Sequence, residues 1–181
     1  CDMGIVHVGE GVMAQKGQEP FESPTGGFAT VAVLYDWAPM QWLVTRDFAE
    51  EHGLTSIGDL AEKTPPIDLV VNRRGILPSI LAEEALKLTG VTFEDIEDWG
   101  GSVQYQGSRA AGDVVKDGRA DAWVNAMFIG TGAIRDIAET TDLTMLSVPE
   151  DVVDRMGEAY GSIPVTVPAD AYPWLDRDVA T

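Results

Sequence analysis

The residues best suited to chemistry are Asn72-Arg73-Arg74-Gly75-Ile76-Leu77-Pro78-Ser79, which hold two guanidinium groups, a glycine and a serine hydroxyl in eight positions. Ile67-Asp68-Leu69-Val70-Val71 precedes them, a short β-branched run of the kind that fills a strand covered on both faces. Leu77, Leu81, Ala85 and Leu88 follow at helical spacing, and Gly90 supplies the stop. The arginines and Ser79, read as an N-cap, therefore stand where a strand's carboxyl end meets a helix's amino end. Unpaired amides and the helix dipole favour an anion there, and open α/β sheets bind their ligands along that edge. The same residues also fit an ordinary connection whose arginines are solvated.

Elsewhere catalytic constellations are thin. His7 and His52 are the two histidines, with no spacing suited to a zinc pair. Ser108 lies in Gln106-Gly107-Ser108-Arg109, which is not a nucleophile elbow. Gly130-Thr131-Gly132 lacks the third glycine of a dinucleotide fingerprint, and Asp117-Gly118-Arg119-Ala120-Asp121 reads as a turn, not a calcium loop. Neither a metal nor a cofactor is expected. What remains points to binding: strand ends bring Arg73, Arg74, Ser79, Asn125, Phe128 and Thr131 toward one sheet edge.

Those strand ends need a scaffold, and the order of elements supplies one. Residues 4–8 and 28–35 read as strands, with a Pro- and Gly-rich loop between them, and residues 40–45 as another. From Ile67 onward strands and helices alternate: helix 79–89, a turn or short helix at 91–96, a polar segment 98–107, and a helix beginning near Ser108. Strand 120–128, a helix capped by Thr131, strand 143–148 and a helix opened by Pro149 complete the series. Alternation of this kind means an α/β sheet with helices on its faces. Pro164, Pro168 and Pro173 leave a loop-rich end, and both termini read as cut from something larger.

Composition narrows the partners. Of 181 residues 45% are hydrophobic, enough for a buried core, and no run approaches the roughly 18 apolar residues of a membrane span. Thirty acidic residues face twelve basic ones, a formal net charge of −18 that repels nucleic acid and anionic lipid. Such a surface suits high salt, which screens its self-repulsion. Cys1 is the single cysteine, so no intrachain disulfide forms. A lipid anchor on it is disfavoured because Met3-Gly4-Ile5-Val6-His7-Val8 reads as a strand and not as a polar tether.

Taken in order, several stretches resemble the TAXI family of solute receptors for TRAP transporters. Asp2-Met3-Gly4-Ile5-Val6-His7, the passage from Val33-Leu34-Tyr35 to Leu43-Val44-Thr45-Arg46, and Ser56-Ile57-Gly58-Asp59-Leu60 are three of them. Val115-Lys116-Asp117-Gly118-Arg119-Ala120-Asp121-Ala122, Ala133-Ile134-Arg135-Asp136-Ile137-Ala138 and the segment from Ile163 to Pro173 complete the set. The turn at residues 73–79 and His7-Val8-Gly9 depart from the family's usual residues. The resemblance implies a type II periplasmic-binding-protein-like fold that closes two lobes on a small organic acid or amino acid. It also implies delivery to TRAP permease subunits outside the cytoplasmic membrane, without insertion into it. Residues 1–45 would then be part of lobe I and the crossing strand, 46–148 lobe II, and 149–181 a segment returning toward lobe I. Arg73 or Arg74 would pair the anionic group, with Ser79 a further donor, Asn125 and Phe128 beside them, and His7 and Tyr35 lining the facing lobe. A transferase on a similar bilobed frame, or the sensing domain of a transcription regulator, are the alternatives.

Overall fold

The computed structural model describes residues 3–35 and 37–181; Cys1, which bears on the lipid-anchor alternative, lies outside the described residues, as do Asp2 and Asp36. Five strands make the main sheet: β1 (Met40–Thr45), β2 (Asp68–Val71), β3 (Ser102–Tyr105), β4 (Ala122–Ala126) and β5 (Leu143–Leu146), in the order β3-β2-β4-β1-β5. β2 runs parallel to β3 and β4, while β1 is antiparallel to β4 and β5. Four strands thus share one direction and β1 is threaded against them, which bears out the expected mixed α/β class. Its start, Met40, consequently lies beside the end of β4, Ala126.

Both faces of this sheet are covered, and the period-2 alternation shows how. Trp42, Val44, Leu69, Val71, Ala122 and Val124 enter one core, where α4 (Leu77–Leu88), α5 (Phe93–Asp98) and α8 (Glu150–Tyr160) supply Leu81, Leu86, Ile96, Val152 and Met156. α1 (Val8–Lys16), α2 (Arg46–His52) and α3 (Asp59–Lys63) add Met13, Ala49 and Leu60 to the same side. Leu43, Val70 and Trp123 point the other way, onto α6 (Ser108–Lys116) and α7 (Gly132–Ala138) through Val114, Val115, Ile134 and Ile137. The proline-rich end belongs to this second core: β6 (Thr166–Val167) pairs with β7 (Val179–Ala180), and Tyr172 and Leu175 are buried between helices and sheet. Each fully buried Leu, Ile or Val is worth about 1.5–3 kcal/mol, so the three layers hold together mainly through these two clusters.

Three expectations are corrected. Residues 4–8 and 28–35 are not strands: 4–7 and 28–35 are irregular, Val8 starts α1, and Ile5, Val31 and Val33 are exposed. β propensity describes fit to a pleated surface, and no strand pairs with either segment among the described residues. The polar segment at 98–107 instead contains β3, a half-buried edge strand whose Val103 and Tyr105 pack on the core while Ser102 and Gln104 alternate away from it. Gly101 lets it begin: a Cβ there would stand 2.2 Å from the Ile67 carbonyl oxygen. Finally, Ile76 and not Ser79 is the N-cap of α4, which starts at Leu77 with Pro78 in its first turn.

Candidate functional site

The carboxyl ends of β2, β3 and β4 lie along one edge, and the segments leaving them lead into the amino ends of α4, α6 and α7. Side-chain amides tie this edge together. Asn72 donates through Nδ2 to Asn125 Oδ1 at 2.8 Å, and Asn125 donates through Nδ2 to Ser108 Oγ at 3.1 Å. Asn125 is buried, so its amide spends its capacity on holding Asn72 and the first residue of α6 in register.

Next to that chain lies an open groove of about 510 Å³ lined by Arg73, Tyr105, Gly107, Ser108, Arg109 and Asp113. Arg73 lies flat against Gly107, the N-cap of α6; a Cβ on Gly107 would come within 3.2 Å of Arg73 Nε and Nη2. Gly107 has an ordinary φ of −68°, so the glycine serves close approach and not backbone conformation. Arg74 is held beside it, its guanidinium carbon 4.0 Å from the centre of the Tyr105 ring. Among the described residues the guanidinium groups of Arg73 and Arg109 have no hydrogen-bond or ion-pair partner. Arg109 also adds a positive charge to the positive end of the α6 dipole, which is unfavourable unless an anion joins them.

The amino end of α4, the helix the sequence singles out, is served differently. Glu10 in the first turn of α1 accepts from the Leu77 amide at 3.4 Å and from the His7 amide at 3.1 Å. The chain thus puts a carboxylate of its own where the sequence suggested a bound anion. His7 is the N-cap of α1, with Nδ1 3.6 Å from Glu10 Oε1. Ser79 is corrected as a donor to solute: it is buried, and its hydroxyl turns back to the carbonyls of Arg73 and Ile76, both at 2.8 Å. One proton shared between two carbonyls leaves nothing to donate outward. Tyr35 and Phe128 do meet, edge to face with ring centres 4.8 Å apart, both about half exposed. Thr131 occupies the N-cap position of α7, without a capping hydrogen bond from its side chain.

Sequence reasoning thus placed Arg73, Arg74 and Asn125 at one edge and missed Arg109, Asn72 and the groove at α6. The signal for Arg109 lies in Gly107-Ser108-Arg109, a small residue and a cation at a helix start, and it acquires meaning only once β3 supplies the strand end before it. Among the described residues no helix is long and apolar enough to cross a membrane, and no group of three His, Cys, Asp or Glu is placed to hold a metal ion.

Comparison with known proteins gives a family and two distant solved structures. The model of the NMT1-like family matches residues 1–181. A crystal structure of a glycine betaine/carnitine/choline ABC transporter is 18% identical with a TM-score of 0.40, over 61% of this chain and 36% of that one. Apo YehZ from Escherichia coli is 15% identical with a TM-score of 0.40, over 64% of this chain and 40% of that one. The chain therefore spans well under half the length of either. None of the curated proteins matches it.

Proposed function

The chain belongs to the NMT1-like family, and from that premise we propose that it is a solute-binding part of an extracytoplasmic receptor. It takes the acid group of a small organic acid or amino acid in the α6 groove and closes on it with a second lobe. It then presents the solute to the permease of a TRAP-type transporter, in the periplasm or at the outer face of the cytoplasmic membrane. Residues 46–148 form the body of the lobe that carries the groove; β1 completes its sheet, and α1, α8 and the β6–β7 end pack on its two cores.

The observation that carries this reading is the pair of partnerless guanidinium groups, Arg73 and Arg109, around the amino end of α6. Unpaired cations are common among the described residues, Lys116, Arg135 and Arg155 included; what sets Arg73 and Arg109 apart is that they meet at one helix amino end, where dipole and amides favour the same anion. A carboxylate there would accept from Arg73 in a forked pair and from the free amides at the start of α6. Arg74 braces the wall through Tyr105, and Asn125 fixes Ser108. Tyr35 and Phe128 offer an apolar surface to the rest of the solute, and His7 stays with α1 and Glu10. Closure follows from linkage: a ligand that touches both lobes only when they meet stabilises the closed state. Moving from mostly open to mostly closed needs about 5.5 kcal/mol of differential affinity.

The test is calorimetric titration with a panel of short mono- and dicarboxylates and amino acids at low ionic strength. Binding of at least one acid, abolished when Arg73 and Arg109 are both replaced by alanine, supports the assignment. Binding of amines or neutral solutes but of no acid overturns it.

A further inference from the structure

Phe128 stands in a short loop between β4 and α7, and two buried side chains from distant parts of the sequence close that loop into a ring. Gln41, on β1 and fully buried, donates through Nε2 to the Met127 carbonyl at 2.8 Å. Its Oε1 accepts from the Tyr172 hydroxyl at 2.6 Å, and the same hydroxyl accepts from the Gly130 amide at 3.1 Å. The route Gly130 N–H to Tyr172 Oη to Gln41 to Met127 C=O thus bridges the two sides of Phe128 and Ile129. The Met127 amide adds a bond to the Pro39 carbonyl at 3.1 Å, and Gly130 turns the loop with φ +73°.

We propose that Tyr172 and Gln41 are positioning residues that staple this loop and so fix the Phe128 wall of the solute site, linking it to the returning C-terminal segment. The inference deepens the solute-binding reading and rests on it for the meaning of that wall. Neither residue lines the groove at α6, nor do Phe128 and Tyr35, so the role is exerted on the Tyr35–Phe128 face that the proposed function gives to the apolar part of the solute. The chemistry fits. Glutamine alone among buried residues of its length offers a donor to one carbonyl and an acceptor to a hydroxyl, and tyrosine can pass on a bond received from an amide. Burial holds the Tyr172 phenol above its usual range, with the bonds to Gly130 and Gln41 pulling the other way, so the hydroxyl keeps the proton it must donate. The ring itself stacks on Trp174 with centres 4.7 Å apart, an anchor that survives loss of the hydroxyl.

Tyr172→Phe in the 181-residue chain is the direct test, with amide hydrogen exchange, ring-to-ring nuclear Overhauser effects and calorimetry with succinate as readouts. Exchange at Gly130 rises roughly five- to tenfold, as expected for one lost hydrogen bond. The Tyr35–Phe128 contact weakens, and succinate binds several-fold more weakly. Amides of the central strands, such as Val124, keep their protection. Gln41→Met repeats the experiment from the other side of the ring. An unchanged Gly130 and an unchanged Tyr35–Phe128 contact overturn the proposal, as does a loss of protection spread evenly through the sheet. Should the wild-type chain ignore succinate while the loop responds as described, the staple stands and the assignment of succinate-like acids to the site falls.

Discussion

Replacing Arg73 by alanine separates a binding arginine from a structural one. The guanidinium has no partner among the described residues, so its removal breaks no hydrogen bond and empties no core. Stability should stay within about 0.5 kcal/mol of wild type, as for surface changes away from any special feature. Binding should suffer far more, since a charge-assisted hydrogen bond to a carboxylate contributes about 1.5–3 kcal/mol, or roughly 10- to 100-fold in affinity. Arg74→Ala removes only a brace on Tyr105, worth about 0.5–1 kcal/mol at an exposed position, and should weaken the same acid only a few-fold. Gly107→Ala approaches the geometry from the other side: its Cβ, 3.2 Å from Nε and Nη2, obliges the guanidinium to give way by a few tenths of an ångström. It should weaken binding with Arg73 still present. The assay is paired calorimetry and urea denaturation of each variant, with the acid that binds wild type best. Equal affinity in wild type and Arg73→Ala, or an affinity loss matched by an equal loss of folding stability, would refute the reasoning.

Three further perturbations test the surroundings. Glu10→Ala strips the carboxylate from the His7 and Leu77 amides and should cost about 1 kcal/mol in urea denaturation, leaving acid affinity unchanged; tighter acid binding would move the solute to α4. Asp121 is held above the ordinary carboxylate range, first by burial and then by the charges of Asp68 and Glu51, against the bond from the Asp68 amide. An acid whose folded value is raised loses stability as pH climbs through that value. Asp121→Asn should therefore raise the urea midpoint at neutral pH and lose that advantage in acid below the ordinary range; an advantage that persists there would contradict the sign. Because the net charge is −18, sodium chloride should stabilise the fold as the screening length falls from about 10 Å at 0.1 M toward about 3 Å at 1 M; a falling urea midpoint would deny that self-repulsion matters.

Much of the scaffold was legible because its strands are buried on both faces. Leu69-Val70-Val71 announces itself by unbroken apolar content, Leu143 to Leu146 by three buried apolar residues around Thr144, and α4 and α6 by periodicity. β3 was hard to read because it is four residues long and half-buried throughout: Val103 and Tyr105 pack on the core while Ser102 and Gln104 face away, too short an alternation to stand out beside the glycines and acids before it. Residues 28–35 failed in the opposite sense: their content suits a strand, but pairing depends on what lies alongside, which local sequence does not encode. The solute-site residues divided on similar lines. Arg73 and Asn125 could be placed from strand ends alone, whereas the fate of Ser79 depended on which carbonyls the turn before α4 would present.

The exchange of roles between α4 and α6 shows why charge sign and position must be weighed together. Both helices rise from the same sheet edge with a positive dipole end, but at α4 the Leu77 amide bonds Glu10, Pro78 has no N–H and the Ser79 and Ile80 amides bond the Ile76 carbonyl. Glu10, 67 residues from Leu77 in sequence, neutralises that end, so α4 holds no net attraction for a second anion. At α6 the opposite has accumulated: Arg109 in the first turn, Arg73 against the N-cap, and Arg74 behind Tyr105, with Asp113 the single carboxylate lining the groove. The rest of the molecule is strongly acidic and, at long range, repels an incoming acid. Salt at the levels this surface suits screens that repulsion within about 10 Å, while contacts at hydrogen-bond distance inside the groove are screened much less. High salt thus removes the long-range penalty and leaves the local attraction, so association of an organic acid should speed up with ionic strength in this protein. A cationic receptor would show the reverse. Stopped-flow association of the bound acid across a chloride series measures the slope, and a rate that falls steadily as salt rises would place the acid under a positive global field that this chain does not have.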